Sequence, residues 1–237
     1  MKYSRSGVPI LILAFFCSRF AGAERLDPTA IVIGFVGGLV RHDNAIDSEV
    51  QLATRLEHDY SPGVKVRMFE NRRGRPALLE ILRLLDTNHN GALSPEEKLQ
   101  ARIAIYGHSW GASETVTLAR ALGKDGIPVL LTIQVDSVTK PREDDGSIPS
   151  NVAQAVNFYQ QTGLFHGRAR IRAADASCTQ ILGNFQFDYK NNSVKCEGYP
   201  WYARVFMKPH IEIESDPSVW QQVEALIRAK LRPAVPR

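Results

Sequence analysis

The sequence predicts an α/β fold, a single domain with a mainly parallel sheet flanked by helices on both faces. Three observations lead there. Short β-branched runs alternate with amphipathic stretches along the chain, as a parallel sheet with crossover helices requires. The 237 residues suffice for one domain with a sizeable core. Hydrophobic residues at 44% and charged residues at 23% argue against long disorder, and there are no repeats or low-complexity tracts.

Residues 1–23 read as an export signal. Lys2 and Arg5 precede the apolar run Val8 to Cys17, and Ala21-Gly22-Ala23 supplies small residues at a cleavage site. The run is well short of the roughly 20 apolar residues a span needs, so no stable membrane anchor is expected. The mature domain is then 24–237, secreted or periplasmic. The signal carries Lys2, Arg5 and Arg19 and no acid, so its loss takes the formal charge from +4 to near +1. That balance points away from nucleic acid as a partner. Cys17 leaves with the signal, and Cys178 and Cys196 remain as an even pair. An oxidising compartment favours joining them in a disulfide.

Ile31 to Phe35 reads as a buried strand that runs into Gly37-Gly38. A helix from Asp47 to His58 follows, with Val50, Leu52, Ala53 and Leu56 at helical spacing. Ser61-Pro62-Gly63 turns the chain into a strand from Val64 to Phe69. Pro76 suits the first turn of a helix that continues to Leu85. Arg102 to Tyr106 is a strand, Ala112 to Leu122 a helix, and Pro128 to Val135 a strand ending at Asp136. After a charged loop, Val152 to Gln160 reads as a helix, Arg168 to Ala173 as the last parallel strand, and Ala203 to Met207 as a further strand. Residues 178–202 fit no element, and Val219 to Leu231 closes the chain as a helix.

Gly107-His108-Ser109-Trp110-Gly111 matches Gly-x-Ser-x-Gly, and it lies between a predicted strand and a predicted helix. The context makes the short motif specific. Such a turn lifts the serine hydroxyl above the sheet at a helix N-terminus, where free N–H groups and the dipole favour negative charge. On these residues the chain resembles the α/β-hydrolase family, in particular its smaller esterase, lipase and thioesterase-like members. The resemblance covers nearly the whole mature chain from Ile31 on. It implies a serine hydrolase acting on carboxylic ester or thioester bonds of a small-molecule or lipid substrate, through a Ser-His-Asp triad and an acyl-enzyme, with no catalytic cofactor. It also implies an oxyanion hole. One donor is the N–H of Trp110; the second comes from Phe35-Val36-Gly37-Gly38, at Val36 or Gly37. That loop looks like the family's His-Gly-Gly-Gly, with Gly34-Phe35 in place of His-Gly.

Six histidines compete as base. His210 follows the last predicted strand, precedes the final helix and completes the family order of Ser, acid, His. His108 points away from the nucleophile in this family. Asp136 and Asp175 compete for the acid. Asp136 leaves the more apolar strand and is the better supported, so it is preferred, with Asp175 as the alternative.

A second motif lies upstream of the nucleophile strand. Residues 86–97 match the twelve-residue EF-hand loop. Asp86, Asn88 and Asn90 offer oxygens at positions one, three and five, and Gly91 allows the turn. Ala92 offers its carbonyl, Ser94 the ninth position and Glu97 a bidentate carboxylate. A weakly bound, structural Ca2+ is expected, since only two ligands are charged. A catalytically silent hydrolase fold serving as a calcium-binding module is the competing reading.

Overall fold

The computed structural model describes residues 30–231; the expected export signal lies outside them. Strand β1 (Ala30–Val36) leads to helix α1 (Ser48–Tyr60), and β2 (Val64–Glu70) to α2 (Gly74–Leu85) and the short α3 (Pro95–Leu99). Strand β3 (Arg102–His108), helix α4 (Trp110–Lys124) and strand β4 (Val129–Val135) follow without irregular insertions. Then come β5 (Ser147–Ile148), β6 (Val152–Tyr159), β7 (Arg172–Ala173) and β8 (Gln180–Gln186). Helices α5 (Trp201–Phe206), α6 (Lys208–Ser215) and α7 (Pro217–Leu231) complete the chain.

Six strands form one parallel sheet in the order β2-β1-β3-β4-β6-β8, and β5 and β7 pair separately. Side chains alternate between its faces, so each central strand feeds two cores. Val32, Ala104 and Tyr106 join Leu52 and Leu56 of α1 and Val223 and Ile227 of α7 on one face. Ile31, Ile33, Ile103 and Ile105 join Ile81 of α2 and Val116 and Leu122 of α4 on the other. This is the predicted architecture: a mainly parallel sheet with helices on both faces, in one domain.

Three segments differ from expectation. Val152 to Tyr159 is strand β6, not a helix. Its apolar residues divide between the cores, Val156 and Phe158 on one side and Val152 and Ala155 on the other, and a helix has no place between β4 and β8. The last strand of the main sheet is β8, inside the stretch that fitted no element; Arg168 to Ala173 contributes only the short β7. Ala203 to Met207 belongs largely to helix α5, which leaves Trp201, Tyr202, Val205 and Phe206 exposed.

Candidate active site

Ser109, His210 and Asp136 meet at the carboxyl ends of the strands, where loops of an open α/β sheet form a crevice. Ser109 caps β3 and opens α4 with φ 56° and ψ −125°, a conformation L-residues rarely hold. Tight packing imposes it. A Cβ on Gly107 would meet the Gly111 backbone at 2.6 Å, and one on Gly111 would collide with the Phe35 carbonyl. The turn is anchored by the Ser109 N–H, which donates to the Val135 carbonyl at 3.0 Å.

His210 lies in the first turn of α6 rather than in a loop, and it is buried. Its Nε2 is 2.9 Å from Ser109 Oγ, and its Nδ1 is 2.7 Å from Asp136 Oδ2. Asp136, directly after β4, is fully buried. Its Oδ1 accepts from the backbone N–H of Gln160 (3.0 Å) and of Gly167 (2.8 Å), and its Oδ2 accepts from Gln160 Nε2 at 2.8 Å. A carboxylate so held can fix the imidazole with its proton on Nδ1, leaving Nε2 free to take the Ser109 proton.

Gln160 and Gly167 escaped the sequence reading. Gln160 is itself locked, its amide donating to the Phe165 carbonyl at 2.9 Å and its oxygen accepting from the Thr162 N–H at 2.7 Å. No sequence signal marks it, because it ends a segment expected to be helical.

Asp175, the alternative acid, is not in this group. It is exposed and accepts from the Ser177 N–H and hydroxyl at 2.9 and 2.6 Å. The reason is topological: it precedes β8 and therefore lies at the amino edge of the sheet, opposite Ser109. The neighbouring Ala174 N–H bonds the Ile148 carbonyl at that same edge.

The expected disulfide is absent for a related reason. Cys178 and Cys196 are free thiols. Cys178 stands before β8 near Asp175, whereas the residues around Cys196 pack on α6, with the Val194 N–H bonded to Glu212. The seven residues of β8 carry the chain about 20 Å between them, beyond the roughly 7 Å a bridge spans.

The expected oxyanion donors border Ser109. Trp110 is the first residue of α4, so its N–H has no acceptor within the helix. Gly37 stands so close that a Cβ on it would lie 3.0 Å from that of Ser109. Val36 is the buried last residue of β1, and the buried Asn71 amide donates to its carbonyl and to that of Gly38, holding the loop in place. These groups open on a cleft of about 490 Å³ whose walls include Leu39, Val40, Ile46, Tyr199, Tyr202 and Met207. Of the other aromatics, Phe158 packs in the core, stacked on Phe185 at 5.5 Å.

Three other histidines have partners of their own. His42 and His58 are exposed and pair with Glu70 and Asp59. His108 is buried, its ring centroid 4.5 Å from that of His210. It faces an acidic group, Asp47, Glu49 and Glu214. Burial raises all three carboxyls, Asp47 to about 6, Glu214 to about 8 and Glu49 well above the usual range. Burial, then the neighbouring His210, holds the His108 imidazole well below its ordinary pKa.

The loop 86–97 joins α2 to α3 away from this cleft. Asp86 Oδ1 and Oδ2 accept from the N–H groups of Asn90 and Gly91, Asn88 Oδ1 from Asn90, and Asn90 Oδ1 from Ala92. Ser94 caps α3 in a capping box with Glu97, whose Oε1 also accepts from Thr87 at 2.9 Å. Gly91 has φ 82°, as the sharp turn requires. Hydrogen bonds from Ser94 and Thr87 depress the Glu97 carboxyl to about 2, so it stays charged.

No protein-family model matches the sequence, and no curated protein matches it. Among solved structures, an arylesterase aligns with TM-score 0.47 and 10% identity, over 86% of this chain and 77% of the other. A cutinase-like protein from Cryptococcus sp. aligns with TM-score 0.43 and 12% identity, over 88% of this chain and 97% of that one. A thermostable esterase from Pseudomonas putida aligns with TM-score 0.44 and 10% identity, over 89% and 77%.

Proposed function

We propose that this protein is an exported serine hydrolase that cleaves carboxylic ester or thioester bonds through an acyl-enzyme. The observation that carries the reading is the unbroken chain from Ser109 Oγ to His210 to Asp136, at 2.9 and 2.7 Å. His210 Nε2 takes the Ser109 proton as Oγ attacks the carbonyl carbon, and Asp136 stabilises the imidazolium. Backbone N–H groups of Trp110 and of Val36 or Gly37 hold the oxyanion. The imidazolium then gives its proton to the leaving alcohol or thiol, and water attacks the acyl group by the same route in reverse. The apolar walls of the cleft favour substrates with a hydrophobic acyl or alcohol part.

A fluorophosphonate probe tests the reading directly, since it labels an activated serine. Labelling of the wild-type protein at Ser109 is the expected result. A folded protein that takes no label is instead a silent binding module. Chromogenic esters of graded chain length, run beside a thioester and a peptide, then assign the bond and the acyl size.

We further propose that the loop 86–97 holds Ca2+. Its donor set fits: Asp86, Asn88, Asn90, the Ala92 carbonyl, Ser94 and Glu97 occupy the EF-hand positions, and the turns that present their oxygens are formed. The ion would brace α2 against α3 and take no part in the reaction.

A further inference from the structure

Beside the cleft, the buried side chains of Glu49, His108 and Glu214 turn ligand atoms toward one point. His108 Nε2 lies 3.2 Å from the His210 carbonyl oxygen. A carbonyl only accepts, so Nε2 carries the proton and Nδ1 presents a lone pair. That lone pair faces Glu214 Oε2 at 3.3 Å and Glu49 Oε1 at 3.9 Å, and the three ligand atoms lie within 4.8 Å of one another. Glu49 is 0% exposed, and among the described residues no N–H or hydroxyl donor reaches either of its oxygens; its side-chain neighbour is the Glu214 carboxyl. Three ligand atoms turned to one point, two of them from carboxyls that burial disfavours as bare anions, call for a proton or a cation between them.

We propose that Glu49, His108 and Glu214 bind a divalent transition-metal ion of the zinc type, which ties the nucleophile turn to α1 and to the helix that carries His210. The donor set suits the ion: one imidazole nitrogen and two carboxylate oxygens. Separations of 3.3 and 3.9 Å are near those of ligands about 2.0–2.2 Å from a common tetrahedral centre. A metal-bound imidazole ordinarily gives its other N–H to a carbonyl or carboxylate, as His108 gives its own to His210. Two glutamates balance the 2+ charge, with Asp47, bonded to Glu214, as a further carboxyl beside them. The Tyr199 hydroxyl bonds Glu214 and steadies it. His108 and Glu214 also line the cleft, which supplies an entry path and a fourth ligand from water.

The test uses metal-stripped protein carrying Cys178→Ser and Cys196→Ser, so that surface thiols take up no ion. Titration with zinc chloride, followed by calorimetry, is expected to give one ion per chain with Kd below about 1 µM. Excess zinc should raise Tm by about 5 °C. Glu49→Gln should weaken binding by at least about 100-fold and abolish the Tm shift. Should that variant fail to fold, cobalt(II) added to the thiol-free parent should give the visible absorption of a tetrahedral nitrogen–oxygen site. Ser109→Ala, which ends hydrolysis, should leave zinc uptake unchanged, so this site and the hydrolase reading fail separately. Zinc binding weaker than about 10 µM, or equal binding by Glu49→Gln, overturns the proposal and leaves a shared proton as the positive centre.

Discussion

Ser109 Oγ, His210 and Asp136 form a hydrogen-bonded chain whose members come from the end of β3, α6 and the end of β4, and each part of the proposed relay can be tested alone. Ser109→Ala is expected to lower kcat on the best ester by on the order of 10⁴-fold or more and to abolish fluorophosphonate labelling. Gln160→Ala removes one donor to Asp136 and should lower kcat by about 10–100-fold with KM little changed, as steady-state kinetics would show. Asp175→Asn should leave kcat/KM unchanged, because that carboxylate faces Ser177 at the opposite edge of the sheet. Ser109, His210 and Asp136 were legible because a spaced motif, chain order and an apolar strand each mark one of them. Gln160, Gly167 and Asn71 were not. Their contribution is a hydrogen bond to a group distant in sequence, and an amide or a glycine in a loop carries no pattern that announces such a bond.

At the scale of elements, the turn at Ser109 is fixed by close packing of its two flanking glycines. Gly111→Ala would drive a methyl group into the Phe35 carbonyl, and overpacking of this kind costs about 1–3 kcal/mol or more. Chemical denaturation should register that loss, and kcat should fall with it as the turn distorts. The strand β1 and helices α1, α2, α4 and α7 were readable from periodicity, since each has one regular apolar face or run. Strand β6 was not, because VAQAVNFY offers apolar residues to both cores and a run buried on two sides has no period of its own. Helix α5 failed for the opposite reason: its large apolar residues point outward beside the cleft, where burial cannot explain them. The α2–α3 loop has its own test. Millimolar calcium should raise Tm by a few degrees in the wild type and not in Asp86→Ala.

At the scale of the whole molecule, the sheet decides which residues can meet. An even count in a chain expected to be exported suggested that Cys178 and Cys196 pair, but a strand lies between them and carries them to opposite edges. Both thiols should therefore alkylate in the folded protein without prior reduction, and dithiothreitol should leave Tm unchanged; peptide mapping and a melting curve check this. The backbone at Ser109 has a consequence for the stability of the entire domain. With φ at 56° it occupies a region where any Cβ is unwelcome, at a cost of about 1–3 kcal/mol. Ser109→Gly should shed that burden, whereas Ser109→Ala keeps it, so the glycine variant is expected to melt higher than the alanine variant although both are inert. Durability and reactivity are thus set against each other at a single position, and selection for a tougher protein alone would erase the hydroxyl first.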